Sequence, residues 1–351
     1  MKKVFLLAYP EINLGDDIFV VMLLKRYPEI QFFINIPDVS KRIAFNGIKN
    51  ISFIQNVSDR KDYDSIDVRE YDAFIYIGGS VFMENDWGLQ DNTNINRFVL
   101  RAKELGKPFF YISSNFGPCK TQEYFEVSKS IISNCKDVSF RDKYSYELFK
   151  DIPSVRYNPD LIFGYDVGNI NCEKGTIGIS VIGFDIREEL VKFSDRYYDL
   201  LEKSIREYIK AGKNVVLFSF CKIECDEIGI DILLKRFSPE ELEYIKVVKY
   251  DGDIDKFIDE YKNMEYMICT RFHSMILSAV CGQKIYCVSY SKKINNVADD
   301  LNFDIKIQNI KNLESDIIKL DDFKKVNDEI IEYCKKESVK QFEAFDRFPE
   351  K

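Results

Sequence analysis

The stretch TRFHSMILSAVCGQ (270–283) holds His273, the single histidine among 351 residues, two positions after Arg271 and where an apolar helical run begins. An imidazole there could give or take a proton, and the neighbouring guanidinium could grip a carboxylate or phosphate bidentately. The strand-like EYMICT ends just before, so both side chains fall in a first helical turn. Unpaired N–H groups and the helix dipole favour an anion at that position. They disfavour a charged imidazole until an anion arrives, so a bound dianion would favour charging His273. One strand later, SYSKK brings Lys292 and Lys293 to the adjacent strand end. Arg, His and Lys from two neighbouring strand ends suit a small phosphorylated carboxylate. A lone histidine in an apolar run is also ordinarily a core side chain, and residue physics alone leaves both readings open.

Three further turns carry candidates. In NLGDD (13–17), Gly15 allows a tight turn and Asp16 or Asp17 can cap the helix that follows. In IGGSVF (77–82), Gly78 and Gly79 let backbone approach a ligand closely, although the full dinucleotide fingerprint is missing. In SFRDKYS (139–145), Arg141 follows a short strand and could hold a carboxylate or phosphate; a surface pair with Asp142 is the plain alternative. NPDLIF comes next, with Asp160 expected to orient the neighbouring loop.

Such turns need strands to deliver them. Strand patterns are read at 3–9, 31–36, 51–54, 73–79, 108–114 and 138–140, then at 175–183, 214–220, 244–250, 265–270 and 284–290. Helical patterns lie between, among them 16–27, 96–106, 122–135, 196–213, 254–264 and 272–282. Runs of Phe, Ile, Val and Tyr without strict alternation suit parallel strands buried on both faces. The expected fold class is α/β, two Rossmann-like doubly wound domains facing across a cleft, with ligands at the carboxyl ends of the strands. The polar stretch near 165–175 marks the junction. The expected domains are 1–168, 169–320 and a helical tail, 321–351, packing across both, with KKESVKQ (335–341) read as a solvated helix face.

Composition excludes other classes. The net charge of −8 gives no basic field for nucleic acid. Nine cysteines without a CxxC pair, and one histidine, suggest no metal site and reduced thiols in a cytoplasm. No run reaches the ~20 apolar residues that span a bilayer, so any membrane association would be peripheral.

Taken in order, NLGDD, IYIGGSVF, SSNFGP, SFRDKYSYELF, NPDLIF, SFCKIECDEIGI and TRFHSMILSAVCGQKIYCVSYSKK resemble the polysaccharide pyruvyl transferase family over roughly residues 10 to 300. Ser80 replaces a third glycine, Gln283 a common proline, and Cys225 an expected glycine. The resemblance implies a GT-B-like pair of domains, phosphoenolpyruvate as donor, and a sugar of a cell-surface glycan precursor as acceptor. The product would be a pyruvate ketal, with phosphate released and no cofactor beyond this co-substrate. It further implies Arg141, Arg271 and Lys293 around the donor, with His273 as general acid. Asp16, Asp17, Gly78, Gly79 and Asn115 fall on the acceptor side. A lipid-linked acceptor would bring the protein to the inner membrane face. Two alternatives stand beside this: a GT-B glycosyltransferase using a nucleotide-sugar, and a non-catalytic anion-binding or scaffold protein. Acceptor, linkage and oligomeric state stay open.

Overall fold

Phe109–Ser114 is buried at all of its positions, the signature of a strand covered on both faces. It belongs to the first of two sheets in a computed structural model that describes residues 1–54, 63–314 and 316–348. The chain divides into two units. One takes Met1–Pro10, Asp16–Tyr165 and the residues from Cys334 onward; the other takes Glu11–Gly15 and Asp166–Tyr333.

The first unit is built from β1 (Lys3–Leu7), α1 (Leu14–Arg26), β2 (Gln31–Ile34), β3 (Ile51–Phe53), β4 (Ala73–Ile77), α2 (Gly88–Glu104), β5 (Phe109–Ser114), α3 (Gln122–Asn134), β6 (Asp137–Phe140), α4 (Lys143–Phe149) and β7 (Val155–Tyr157). Its strands run parallel in the order β3-β2-β1-β4-β5-β6-β7. Phe5, Phe74, Phe98, Phe109 and Tyr111 fill the layer between sheet and helices, with many rings edge-on or offset.

The second unit repeats the plan with β8 (Glu173–Ser180), α5 (Glu188–Val191), α6 (Ser194–Lys210), β9 (Asn214–Ser219), α7 (Asp226–Leu234), α8 (Pro239–Leu242), β10 (Ile245–Lys249), α9 (Ile254–Tyr261), β11 (Met264–Cys269), α10 (Phe272–Val280), β12 (Lys284–Ser289), α11 (Lys292–Asp300), β13 (Lys306–Asn309) and β14 (Lys324–Lys325). The order is β10-β9-β8-β11-β12-β13, parallel throughout, with β14 antiparallel on β12. In both sheets the winding reverses beside the first strand, at β1/β4 and β8/β11. In open α/β sheets ligands bind at the carboxyl ends of the strands beside such a reversal.

Several expectations need correction. Helix α2 starts at Gly88, eight residues before the periodic segment. The cap of α1 is Asn13, whose Oδ1 accepts the Gly15 N–H at 3.2 Å; Asp16 and Asp17 lie inside the first turn instead. The tail is broken into α12 (Asp328–Ser338), a 3₁₀ turn and α13 (Glu343–Asp346). KKESVKQ is not simply a solvated face, because Ser338 and Gln341 within it are fully buried. All nine cysteines are free and seven are buried.

Candidate functional site

In the first unit, β6 ends at Phe140 and delivers Arg141 into a nearly closed setting, 3 % exposed. Its Nη1 donates to Asp160 Oδ2 at 2.8 Å and its Nη2 to Asn115 Oδ1 at 2.7 Å. The guanidinium lies against Gly79, where any Cβ would overlap it, so this glycine is required for close approach. Burial pushes the Asp160 carboxyl above its ordinary range, against the pull of the Arg141 charge. Asp142, the partner in the plain alternative for Arg141, caps α4 by accepting the Ser145 N–H. Asp17 is buried, and a Cβ at Gly78 would stand 3.5 Å from Asp16 Oδ1. Gly78 also takes φ +151°, which only glycine adopts readily.

In the second unit, the β11–α10 turn is tied to the end of β8, since Ser180 Oγ accepts the N–H groups of Thr270 and Arg271 at 2.8 and 3.2 Å. Arg271 is not an open guanidinium. Its Nε donates to Asp226 Oδ2 at 3.0 Å, Nη2 donates to Asp226 Oδ1, and Nη1 to Glu224 Oε2. Burial works against its charge, but Asp226 and Glu224 outweigh that and hold its pKa well above the ordinary value. Glu224 is gripped again by Arg187 Nη2 at 2.9 Å and Asn13 Nδ2 at 3.3 Å. Burial opposes its ionisation too; the charges of Arg271, Arg187 and Lys293 prevail and hold its carboxyl below the usual range.

His273 is half-buried and packs edge-on to Phe272 at 5.2 Å. Its imidazole lies over Gly15, where a Cβ would overlap Nδ1. That glycine makes room for a ring rather than a turn. Neither Arg271 before α10 nor Ser291 before α11 caps its helix with its own side chain. Two helix N-termini thus stand at neighbouring strand ends, with His273 in one first turn and Lys292 and Lys293 in the other.

Sequence reasoning left Glu224, Asp226, Arg187 and Asp160 without these partners. Asp160 is 19 residues from Arg141, and Asp226 is 45 from Arg271, distances at which no local pattern speaks. The two departures from the familiar motifs also find places. Cys225 takes φ +66°, ψ +20° ahead of α7, a left-handed position that glycine fills without strain. Gln283 is buried and donates to Tyr261 O at 2.7 Å, a bond no proline could make.

The sequence profile of polysaccharide pyruvyl transferases matches residues 13–292. The chain belongs to this family. The matched stretch contains Arg141, Arg271 and His273 and stops one residue before Lys293. No curated protein matches the chain. Among solved structures, HepE of Anabaena bound to UDP-glucose aligns with TM-score 0.60 at 11 % identity, covering 100 % of this chain and 98 % of that one. UDP-GlcNAc 2-epimerase from Methanocaldococcus jannaschii aligns at 0.58 and 11 %, covering 99 % and 100 %. MnaA of S. aureus with UDP gives 0.58 and 11 %, covering 99 % and 89 %. At that identity the likeness concerns the fold alone, which is the two-domain α/β, GT-B-like class. This pyruvyl transferase family member has no helix, among its described residues, long and apolar enough to cross a membrane. No group of His, Cys, Asp and Glu among them is arranged to hold a metal ion.

Proposed function

We propose that the protein transfers the pyruvyl unit of phosphoenolpyruvate onto two hydroxyls of a sugar in a cell-surface glycan precursor, forming a pyruvate ketal and releasing phosphate. The observation that carries this reading is the pair of helix N-termini, α10 and α11, at neighbouring strand ends, carrying Arg271, His273 and Lys293 in a chain of this family. First-turn N–H groups and the dipole draw an anion to such a position.

The reaction requires a proton at the methylene carbon while positive charge grows on the carbon bearing the phosphate. His273 is the general acid, a role worth roughly 10²–10⁴ in rate. One sugar hydroxyl adds to the cationic carbon, phosphate departs with its electron pair, and the second hydroxyl closes the ring. One hydroxyl proton restores His273 and the other leaves with phosphate. Lys293, Arg141 and Arg271 offset the donor's carboxylate and phosphate charge. Most of Arg271's donors are already committed to Asp226 and Glu224, so its part is chiefly to fix the turn that carries His273 and to supply field. Asp16, Asp17, Gly78, Gly79 and Asn115 are assigned to the acceptor side. The reaction written this way needs no further cofactor. It places the protein in the cytoplasm, at the inner membrane face if the acceptor is lipid-linked.

The test is thermal unfolding with phosphoenolpyruvate or a panel of nucleotide-sugars, followed by phosphate release with mixed glycan acceptors. A rise with phosphoenolpyruvate and acceptor-dependent phosphate release are expected. Both His273→Ala and Gly15→Ala should lower turnover by about 10² or more, the second because its methyl displaces the imidazole. Stabilisation by a nucleotide-sugar alone would move the protein to the glycosyltransferases. Near-normal turnover in His273→Ala would remove the acid assignment.

A further inference from the structure

Gln341 lies in the tail, about 180 residues past the last strand of the first sheet, yet it is fully buried within the first unit. Its Oε1 accepts the Ser113 N–H at 3.1 Å and the Ser139 hydroxyl. Its Nε2 donates to Asn158 O at 2.6 Å, Pro159 O at 3.1 Å and Phe140 O at 3.2 Å. These partners stand at three separate strand ends: the last residues of β5 and β6 and the loop after β7. The same three strand ends supply the Arg141 constellation: Asn115 stands two residues after Ser113, Arg141 follows Phe140, and Asp160 follows Pro159. Ser113 moreover holds φ +59°, a left-handed conformation costly for a residue with a Cβ. Its hydroxyl accepts the Leu161 N–H at 3.1 Å, which links the first strand end to the third.

The tail has other contacts besides this side chain. Phe345 packs against Tyr27 and Phe110, and Phe342 against Tyr27. Arg156, paired with Asp137, donates to the carbonyls of Lys340 and Gln341. Together with Arg26 and Tyr27, which both donate to Asp346, these contacts dock the tail beside the amide of Gln341.

We propose that Gln341 is a positioning residue for the Arg141 site: one primary amide that holds the Asn115, Arg141 and Asp160 loops in register from a segment remote in sequence. Its consequence for donor binding rests on the reading of Arg141 as a phosphoenolpyruvate ligand. A bidentate cation displaced by about 1 Å loses roughly 10- to 100-fold in what it binds or accelerates.

The test compares the full chain with Gln341→Met, close in size but without the amide, and with Gln341→Asn, which keeps the amide but shortens its reach and serves if the first variant does not fold. Phe345→Leu is the control that weakens the tail's docking without touching the loops. Hydrogen exchange without ligand is read over residues 112–116, 139–143 and 158–162, and phosphoenolpyruvate affinity is measured for each variant alone and combined with Arg141→Ala. The expected result is faster exchange in those three segments for the Gln341 variants and not for Phe345→Leu. Phosphoenolpyruvate should bind about 10-fold or more weakly, a loss that disappears in the Arg141→Ala background. Unchanged exchange, or acceleration spread evenly over the unit, overturns the positioning role. Confined loosening in a protein whose wild type binds no phosphoenolpyruvate upholds that role and overturns the donor reading instead.

Discussion

An imidazole can lie over the first turn of a helix only where the residue beneath lacks a Cβ, and a buried guanidinium makes the same demand of the loop it crosses. Gly15 under His273 and Gly79 under Arg141 meet that demand, so each glycine belongs to a side chain drawn from another stretch of the chain. The motif glycines were legible as permissive turns, but which side chain each one admits was not, because the partners are far apart in sequence. The carboxylates tell a similar story. Glu224 sits between Arg187 and Arg271, and its depressed pKa means that its stabilising contribution is complete above about pH 4.3, the ordinary glutamate value. That contribution is lost as pH falls through the lower folded value. Glu224→Gln should therefore melt below wild type at neutral pH, with the gap closing in acid. A gap of constant size from pH 7 to pH 3 would refute the charge argument.

At the level of elements, the long apolar strands and amphipathic helices were readable because their burial is set by sheets covered on both faces. Several short elements were not. α4, β7, α11 and β13 span only three to nine residues, and their pairing with neighbours decides them more than any periodicity. Helix α7 shows how local geometry and sequence can disagree. Cys225 opens it in a left-handed conformation, its backbone wedged against Gly183, where a Cβ would overlap the Cys225 carbonyl. A non-glycine residue there costs roughly 1–2 kcal/mol, of which glycine's greater unfolded-state freedom would return a part. Cys225→Gly is expected to raise unfolding free energy by about 0.5–1 kcal/mol in urea denaturation, while Cys225→Val lowers it. A loss of stability in the glycine variant would mean that packing of the thiol outweighs the backbone strain.

On the scale of the molecule, the first unit is discontinuous: it takes Met1–Pro10, Asp16–Tyr165 and a segment that begins at Cys334. Burial of Phe342 and Phe345 contributes about 1.5–3 kcal/mol each, and Gln341 adds the bonds to three strand ends. A chain ending at Tyr333 should lose hydrogen-exchange protection across the first unit and keep it in the second, and equal loss in both would show that the two melt as one. The same threading sets a timetable during synthesis. Gln341 leaves the ribosome 176 residues after Tyr165, which at roughly 5–20 residues per second is a delay of about 9–35 s. Throughout that interval the first sheet can assemble but its Arg141 loops lack their amide. A nascent chain stalled anywhere between the two would carry a first sheet whose β5, β6 and β7 ends are not yet tied together.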